Sequence, residues 1–107
     1  MSDSLKRGFM EYFDTGELRQ KQVLEGITLR SVYGESAMMT FFDLDEGAVI
    51  PPHRHMHEQI SYVLEGELEF TLEGEKRVLS KGQGVVVHAD VEHSAIVTKG
   101  PAKALDA

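Results

Sequence analysis

Three of the five histidines in this chain fall in one short segment, Pro51–Pro52–His53–Arg54–His55–Met56–His57–Glu58–Gln59. On an extended strand, residues at i and i+2 point to the same side with Cα atoms about 6.5–7 Å apart. From that separation the imidazoles of His53 and His55 can converge on one ion, and neutral imidazole is the commonest biological metal ligand. The prolines before His53 remove two backbone donors and stiffen the approach, which fits a strand edge at the mouth of a pocket. Gln59 lies four residues after His55, and its carbonyl oxygen offers a third ligand. His93 is the natural fourth. The chain has no cysteine, so a metal site here must use histidine, carboxylate, amide or water. Glu58 is the rival carboxylate, but neighbouring residues on a strand face opposite sides; if Gln59 is a ligand, Glu58 points away. By the same alternation Arg54 is directed off the pocket. His57 reads as a surface residue, or one behind the ligands, rather than a ligand. For His88, lining the pocket and ending a strand fit equally well. A solvated turn would also account for three close histidines, so the surroundings of the pair decide.

Those surroundings read as β-structure. From about Leu18 onward, glycines at positions 26, 34, 47, 66, 74, 82 and 84 punctuate short apolar runs, at spacings that suit an all-β barrel or sandwich. Ile27 to Tyr33 alternates Ile27, Leu29 and Ser31 against Thr28, Arg30 and Val32. The run from Ala37 to Phe42 is apolar on both faces, as expected of a strand buried between two layers. Ile60 to Leu64 is rich in β-formers. Leu68, Phe70 and Leu72 share one face of the next strand, and Glu65–Gly66–Glu67 and Glu73–Gly74–Glu75 read as turns on either side of it. Val85–Val86–Val87 reads as a core strand. His93 to Thr98 forms another, and Ala102 to Ala107 begins a last one. Helical spacing is confined to Leu5, Phe9, Tyr12 and Phe13, with Gly16 as a stop; an arm over residues 1–16, packed on the barrel or on a partner subunit, fits equally.

Composition narrows the function. A chain of 107 residues, 41% hydrophobic and 27% charged, is expected to form one globular domain. Eleven Lys and Arg face 18 Asp and Glu, for a formal net charge of -7. No basic stripe exists to hold a phosphate backbone, so nucleic acid is not an expected partner. No apolar run approaches the roughly 20 residues of a membrane span. The opening MSDSLKRGFMEYF lacks an apolar core and a cleavage site, so the expected location is the cytoplasm.

The pattern as a whole resembles the cupin family. The first cupin motif is Gly, five residues, His-x-His, three or four residues, Glu, six residues, Gly; this chain places Gly47, His53, His55, Gln59 and Gly66 at those spacings, with Gln in the Glu position. The second motif is Gly, five residues, Pro-x-Gly, two residues, His, three residues, Asn; Gly82 and His93 are in register, whereas His88, Asp90 and Val97 replace the Pro, Gly and Asn. The resemblance implies a single jelly-roll β-barrel over residues 1–107, with its motifs at 47–66 and 82–97. It also implies one divalent transition metal (nickel, zinc, iron or manganese) held by His53, His55, Gln59 and His93. These neutral ligands leave the ion its full charge, which favours Lewis-acid work on an anionic small molecule.

The run from His53 to Gly66 is similar, more narrowly, to the small cupins of pectin and alginate degradation, which convert 4,5-unsaturated uronate monosaccharides to the linear 5-keto-4-deoxyuronate. The segment from Glu25–Gly26–Ile27–Thr28 to Gly34 and the closing Ala104–Leu105–Asp106–Ala107 are similar to that subgroup as well. By this likeness Asp106 is the acid/base group; an Arg found further on in the subgroup has no counterpart in the 107 residues. A frayed, solvated Asp106 is the plain alternative. Two other functions fit a cupin site, an oxygen-dependent dioxygenase and a non-catalytic binder of a small molecule. A barrel of this size has sheet edges and apolar groups such as Phe9, Tyr12 and Phe13 to cover, so a homodimer is expected.

Overall fold

Alternating apolar residues over most of the chain commit it to strands, and the computed structural model, which describes residues 12–107, contains eight of them. They are β1 (Lys21–Leu24), β2 (Ile27–Tyr33), β3 (Met38–Leu44), β4 (Val49–His53), β5 (Gln59–Leu72), β6 (Glu75–Ser80), β7 (Gly84–Val87) and β8 (His93–Asp106). All pairings are antiparallel. The all-β expectation holds. Among the described residues the only helical element is a 3-10 turn, Thr15–Glu17, capped by the Asp14 carboxylate on the Gly16 amide. Gly16 thus sits inside this turn. The helix expected around Leu5 and Phe9 lies outside the described residues. No helix among them is long and apolar enough to cross a membrane.

Two long strands hold the fold together. The first part of β5 pairs with β7 on one side and with the end of β8 on the other, while its second part pairs with β6 and with the start of β8. Strand β8 in turn pairs with β4 near its start and with β3 near its end. One layer therefore reads β1-β2-β3-β8-β5-β7 and the other β4-β8-β5-β6, with β5 and β8 passing through both. This is the jelly-roll arrangement. Between the layers lie Ile27, Leu44, Val63, Leu68, Phe70, Val87, Ala95, Val97, Ala102 and Ala104, all buried.

Passing from one layer to the other changes which residues face inward. Along β5 the inward set is Gln59, Ser61 and Val63 before the crossing and Leu68, Phe70 and Leu72 after it. Because side chains alternate with period two, odd positions can give way to even ones only across an irregularity. The register shifts between Val63 and Leu68 supply it. Gly66 stands there at φ 81°, and a Cβ at this position would lie 2.7 Å from Ala102 Cβ and 2.7 Å from the Lys99 carbonyl oxygen. The turn expected at Glu65–Gly66–Glu67 is thus a bulge within one continuous strand. Strand β8 makes the same switch, from His93, Ala95 and Val97 to Ala102, Ala104 and Asp106. The two strands expected at His93–Thr98 and Ala102–Ala107 are therefore one.

Ile27–Tyr33 forms as read, and two smaller expectations are adjusted. The run from Ala37 is less enclosed than its composition suggests: β3 begins at half-exposed Met38, and Phe41 lies outward beneath Phe13, with ring centroids 6.3 Å apart. Of the three valines in β7, Val87 is wholly buried, whereas Val86 turns outward.

Gly66→Ala should lower stability by about 1–3 kcal/mol more than Gly74→Ala, the cost of overpacking a tight site. Both glycines have φ 81°, so the left-handed penalty cancels, and a Cβ at Gly74 meets nothing within 4 Å. Equilibrium denaturation of the two variants measures the difference.

Candidate metal centre

His53 ends β4 and lies opposite His93, the first residue of β8, in the pairing of those strands. His55 follows in the loop after β4, where the two-residue alternation expected of a strand no longer applies, yet its ring still turns toward the pair. The ring centroids are 4.2 Å apart for His53 and His93, 4.9 Å for His55 and His93, and 5.6 Å for His53 and His55. One nitrogen from each ring lies within 4.8 Å of the others. His93 is buried and stacks at 14° on Phe70, ring centroids 6.1 Å apart.

Backbone carbonyls set the tautomer of all three rings. Nδ1–H of His53 donates to the Pro51 carbonyl at 2.9 Å, that of His93 to Val91 at 2.9 Å, and that of His55 to His57 at 2.8 Å. A neutral imidazole that donates from Nδ1 keeps a bare lone pair on Nε2. Burial lowers the His93 pKa, against the raising effect of its bond to Val91, and His53 and His55 lower it further. The neutral form is the one that ligates a metal.

Gln59 adds a fourth lone pair from the opposite layer. Its amide Nε2 donates to Ser61 Oγ at 2.8 Å, which leaves Oε1 facing His55 Nε2 at 3.0 Å. With Nδ1 of His55 already the donor, two acceptors confront each other across that distance. His93 Nε2 is buried with no hydrogen-bond partner, and a buried orphan of this kind is costly unless something satisfies it. A divalent cation among these four lone pairs would remove the orphan and the acceptor clash together. The residues present thus fit a metal.

Asp106 approaches from the end of β8, register partner of Ser61 on β5 and of Thr40 on β3. Burial raises its pKa above the ordinary aspartate value; the Ser61 hydroxyl and the nearby His55 and His53 pull the other way. Asp106 is no frayed terminus. It lines a cavity of about 200 Å³ together with His53, Gln59, Ser61 and His93, walled by apolar residues including Ile27, Phe42 and Phe70. A wider groove of about 740 Å³, bordered by His55, His57, Glu58, Tyr33 and the turn that follows it, opens onto the same end.

The structure brings together His53, His55, Gln59, His93 and Asp106. His57 stays exposed and offers its carbonyl to His55. Glu58 points away and pairs with exposed His88, Oε2 to Nδ1 at 3.0 Å; of the two readings of His88, the strand-end one fits. Arg54 faces Glu92 at 3.7 Å, also outside the cavity. Sequence reasoning passed over Ser61, which hydrogen bonds Gln59 and is the register partner of Asp106. Its signal was the i+2 spacing from Gln59 on a strand.

Residues 40–107 match the cupin domain family, Cupin_2. The pectin degradation protein KdgF of Dickeya dadantii is 31% identical over 87 residues, 79% of each chain. Among solved structures, KdgF from Halomonas sp. aligns with a TM-score of 0.84 and 33% identity over 91% of this chain and 90% of that one. An RmlC-like cupin from Shewanella frigidimarina aligns with a TM-score of 0.84 and 24% identity over 91% and 88%, a likeness of fold alone.

Replacing a ligand should cost more than replacing a residue behind it. His55→Ala is expected to weaken metal binding beyond the roughly 10–100-fold typical of outer residues, while His57→Ala retains metal. Metal analysis after exhaustive dialysis distinguishes them, and stoichiometric metal in a His53→Ala/His55→Ala double variant would contradict the assignment.

Proposed function

This chain belongs to the cupin domain family, and on that premise we propose that it binds one divalent transition metal through His53, His55, Gln59 and His93 and opens the ring of a 4,5-unsaturated uronate monosaccharide to the linear 5-keto-4-deoxyuronate, with Asp106 as acid and base. The observation that carries this reading is the meeting of a half-buried carboxyl with the three clustered imidazoles and the Gln59 amide at one end of the barrel. Likeness to a pectin degradation protein over 79% of the chain supports the choice of substrate.

When bound, the metal supplies a Lewis-acidic positive centre for the sugar carboxylate and an adjacent oxygen. The four protein ligands are neutral and do not cancel that charge. This matters because the chain carries a net charge of -7, which by itself repels an anionic sugar. The apolar walls of the cavity, Phe42 and Ile27 among them, exclude water from the reacting ring. The reaction is an isomerisation: the anomeric hydroxyl loses a proton, the ring carbon–oxygen bond breaks, and the enol-ether carbon gains a proton. One group that both takes and gives a proton therefore suffices. The assignment of both roles to Asp106 is supported by its setting, since burial raises its pKa while Ser61 favours its ionised form.

Loss of the ultraviolet absorbance of the enol ether, read above the spontaneous rate, tests the proposal. Metal-loaded protein should accelerate it on unsaturated galacturonate or guluronate. Asp106→Asn should slow it by about 10²- to 10⁴-fold, the range of general acid–base catalysis, without loss of metal. No acceleration on either sugar overturns the enzyme reading; full activity in Asp106→Asn overturns only the role of that residue.

The homodimer is proposed on a separate observation. Ile60, Tyr62 and Val86 lie exposed on neighbouring strands β5 and β7, and Phe13 reaches the same layer over Phe41. Light scattering at tens of micromolar should give a dimer mass, and deletion of residues 1–14 should weaken association.

A further inference from the structure

We propose that Ser61 is a positioning residue that fixes which end of the Gln59 amide faces the metal. This rests on the reading of Gln59 as a ligand and goes beyond it. A glutamine is an ambiguous ligand. Its carbonyl oxygen can bind a cation, but a half-turn of the amide presents an NH₂ group that cannot. A glutamate at this position would have no such ambiguity, because its two oxygens are equivalent. The departure from the cupin motif at Gln59 therefore creates a need for a group that reads the amide's sense.

Ser61 meets that need. Gln59 and Ser61 are i and i+2 on β5, so both side chains enter the same cavity. The Ser61 oxygen accepts from Gln59 Nε2 at 2.8 Å, and Asp106, its register partner on β8, lines the same cavity. With a carboxylate acceptor as the neighbour for its one proton, the hydroxyl serves Gln59 as an acceptor. It must then face the NH₂ end of the amide, and Oε1 is turned to His55 Nε2, 3.0 Å away. The order of donors runs amide to hydroxyl to carboxyl, and reversing the amide would set its oxygen against the Ser61 oxygen. Ser61 thus couples the orientation of a metal ligand to the group proposed to move protons.

Cobalt(II) titration of the chelator-stripped, full-length protein tests this without reference to activity, reading both affinity and the visible d–d spectrum. Ser61→Ala should weaken cobalt binding by about tenfold, at the lower end of the effect of residues behind a metal ligand, and Ser61→Thr, which keeps the hydroxyl, should restore it. In the Gln59→Glu background the same Ser61→Ala change should cost at most about threefold, because a carboxylate has no wrong end. Thermal melts confirm that each variant folds. An equal loss in both backgrounds would make Ser61 a merely structural residue and overturn the proposal, as would unchanged affinity in Ser61→Ala. If the unsubstituted chain binds no cobalt, the metal reading fails and this inference falls with it; cobalt bound by the unsubstituted chain with no effect of Ser61→Ala removes this inference alone.

Discussion

Four lone pairs aimed at one another are an unfavourable arrangement, and the centre of this molecule is built around that arrangement. Three imidazoles spend their only N–H on nearby backbone carbonyls, and an amide turns its NH₂ end to a serine. What remains points inward, with His93 Nε2 buried and unpartnered. That burial is costly, since a desolvated acceptor loses its water without replacement. The donors are not missing by accident of one rotamer. Each is consumed by a contact two residues away in sequence, so the local backbone enforces the tautomer. The same logic explains the depressed His93 pKa: burial and two neighbouring rings both oppose a charge there.

Such a cluster needs groups drawn from both layers, and the crossings in β5 and β8 deliver them. His53 and His93 belong to the layer built on β4, while Gln59, Ser61 and Asp106 come from the layer that includes β3 and β7. Had β5 kept a single alternation, a strand burying Leu68, Phe70 and Leu72 would have turned Gln59 and Ser61 outward. The bulge at Gly66 lets one strand serve the core at one end and the site at the other. Close approach of Ala102 and the Lys99 carbonyl to Gly66 ties the bulge of β5 to the middle of β8, so both strands shift their inward set where they touch. Packing and site are therefore linked through one glycine.

Much of this was legible in the residues. His53 and His55 announced themselves by spacing, and the alternation of Ile27–Tyr33 and Leu68–Leu72 marked strands, with Leu68, Phe70 and Leu72 sharing the face that packs inward. The hairpin at Glu73–Gly74 also formed where turn residues stood, at φ 48° and 81°. The crossings were not legible, because a glycine between two acidic residues has the same local signature in a turn as in a bulge. Only the change from odd to even inward positions separates them, and reading it requires knowing which partners each half of the strand meets. Ser61 escaped for a related reason. A single serine on a strand carries no signal until the groups on either side of it are placed, and Asp106 is distant in sequence. His55 illustrates the converse: it was read as a strand residue and lies in a loop, yet its ring arrives at the same centre because the His57 carbonyl, not the strand pleat, orients it.

The remaining question is how one carboxyl could serve in both directions. Burial favours the protonated form of Asp106 and is the largest influence on it; Ser61, His55 and His53 favour the ionised form. A cation among the neighbouring lone pairs would add to the second group. A carboxyl governed by burial alone would hold its proton too firmly to act as a base, and one beside an uncompensated cation would be too weakly basic to take a proton up again. Opposed influences of this kind bring the two states closer in energy, which is the condition under which a single group can accept a proton from an oxygen and return one to a carbon. In the proposed reaction the apolar wall of the cavity would be as much a part of the acid–base chemistry as the carboxyl itself, because Phe42, Ile27 and their neighbours supply the low polarity that would offset a cation's charge beside it.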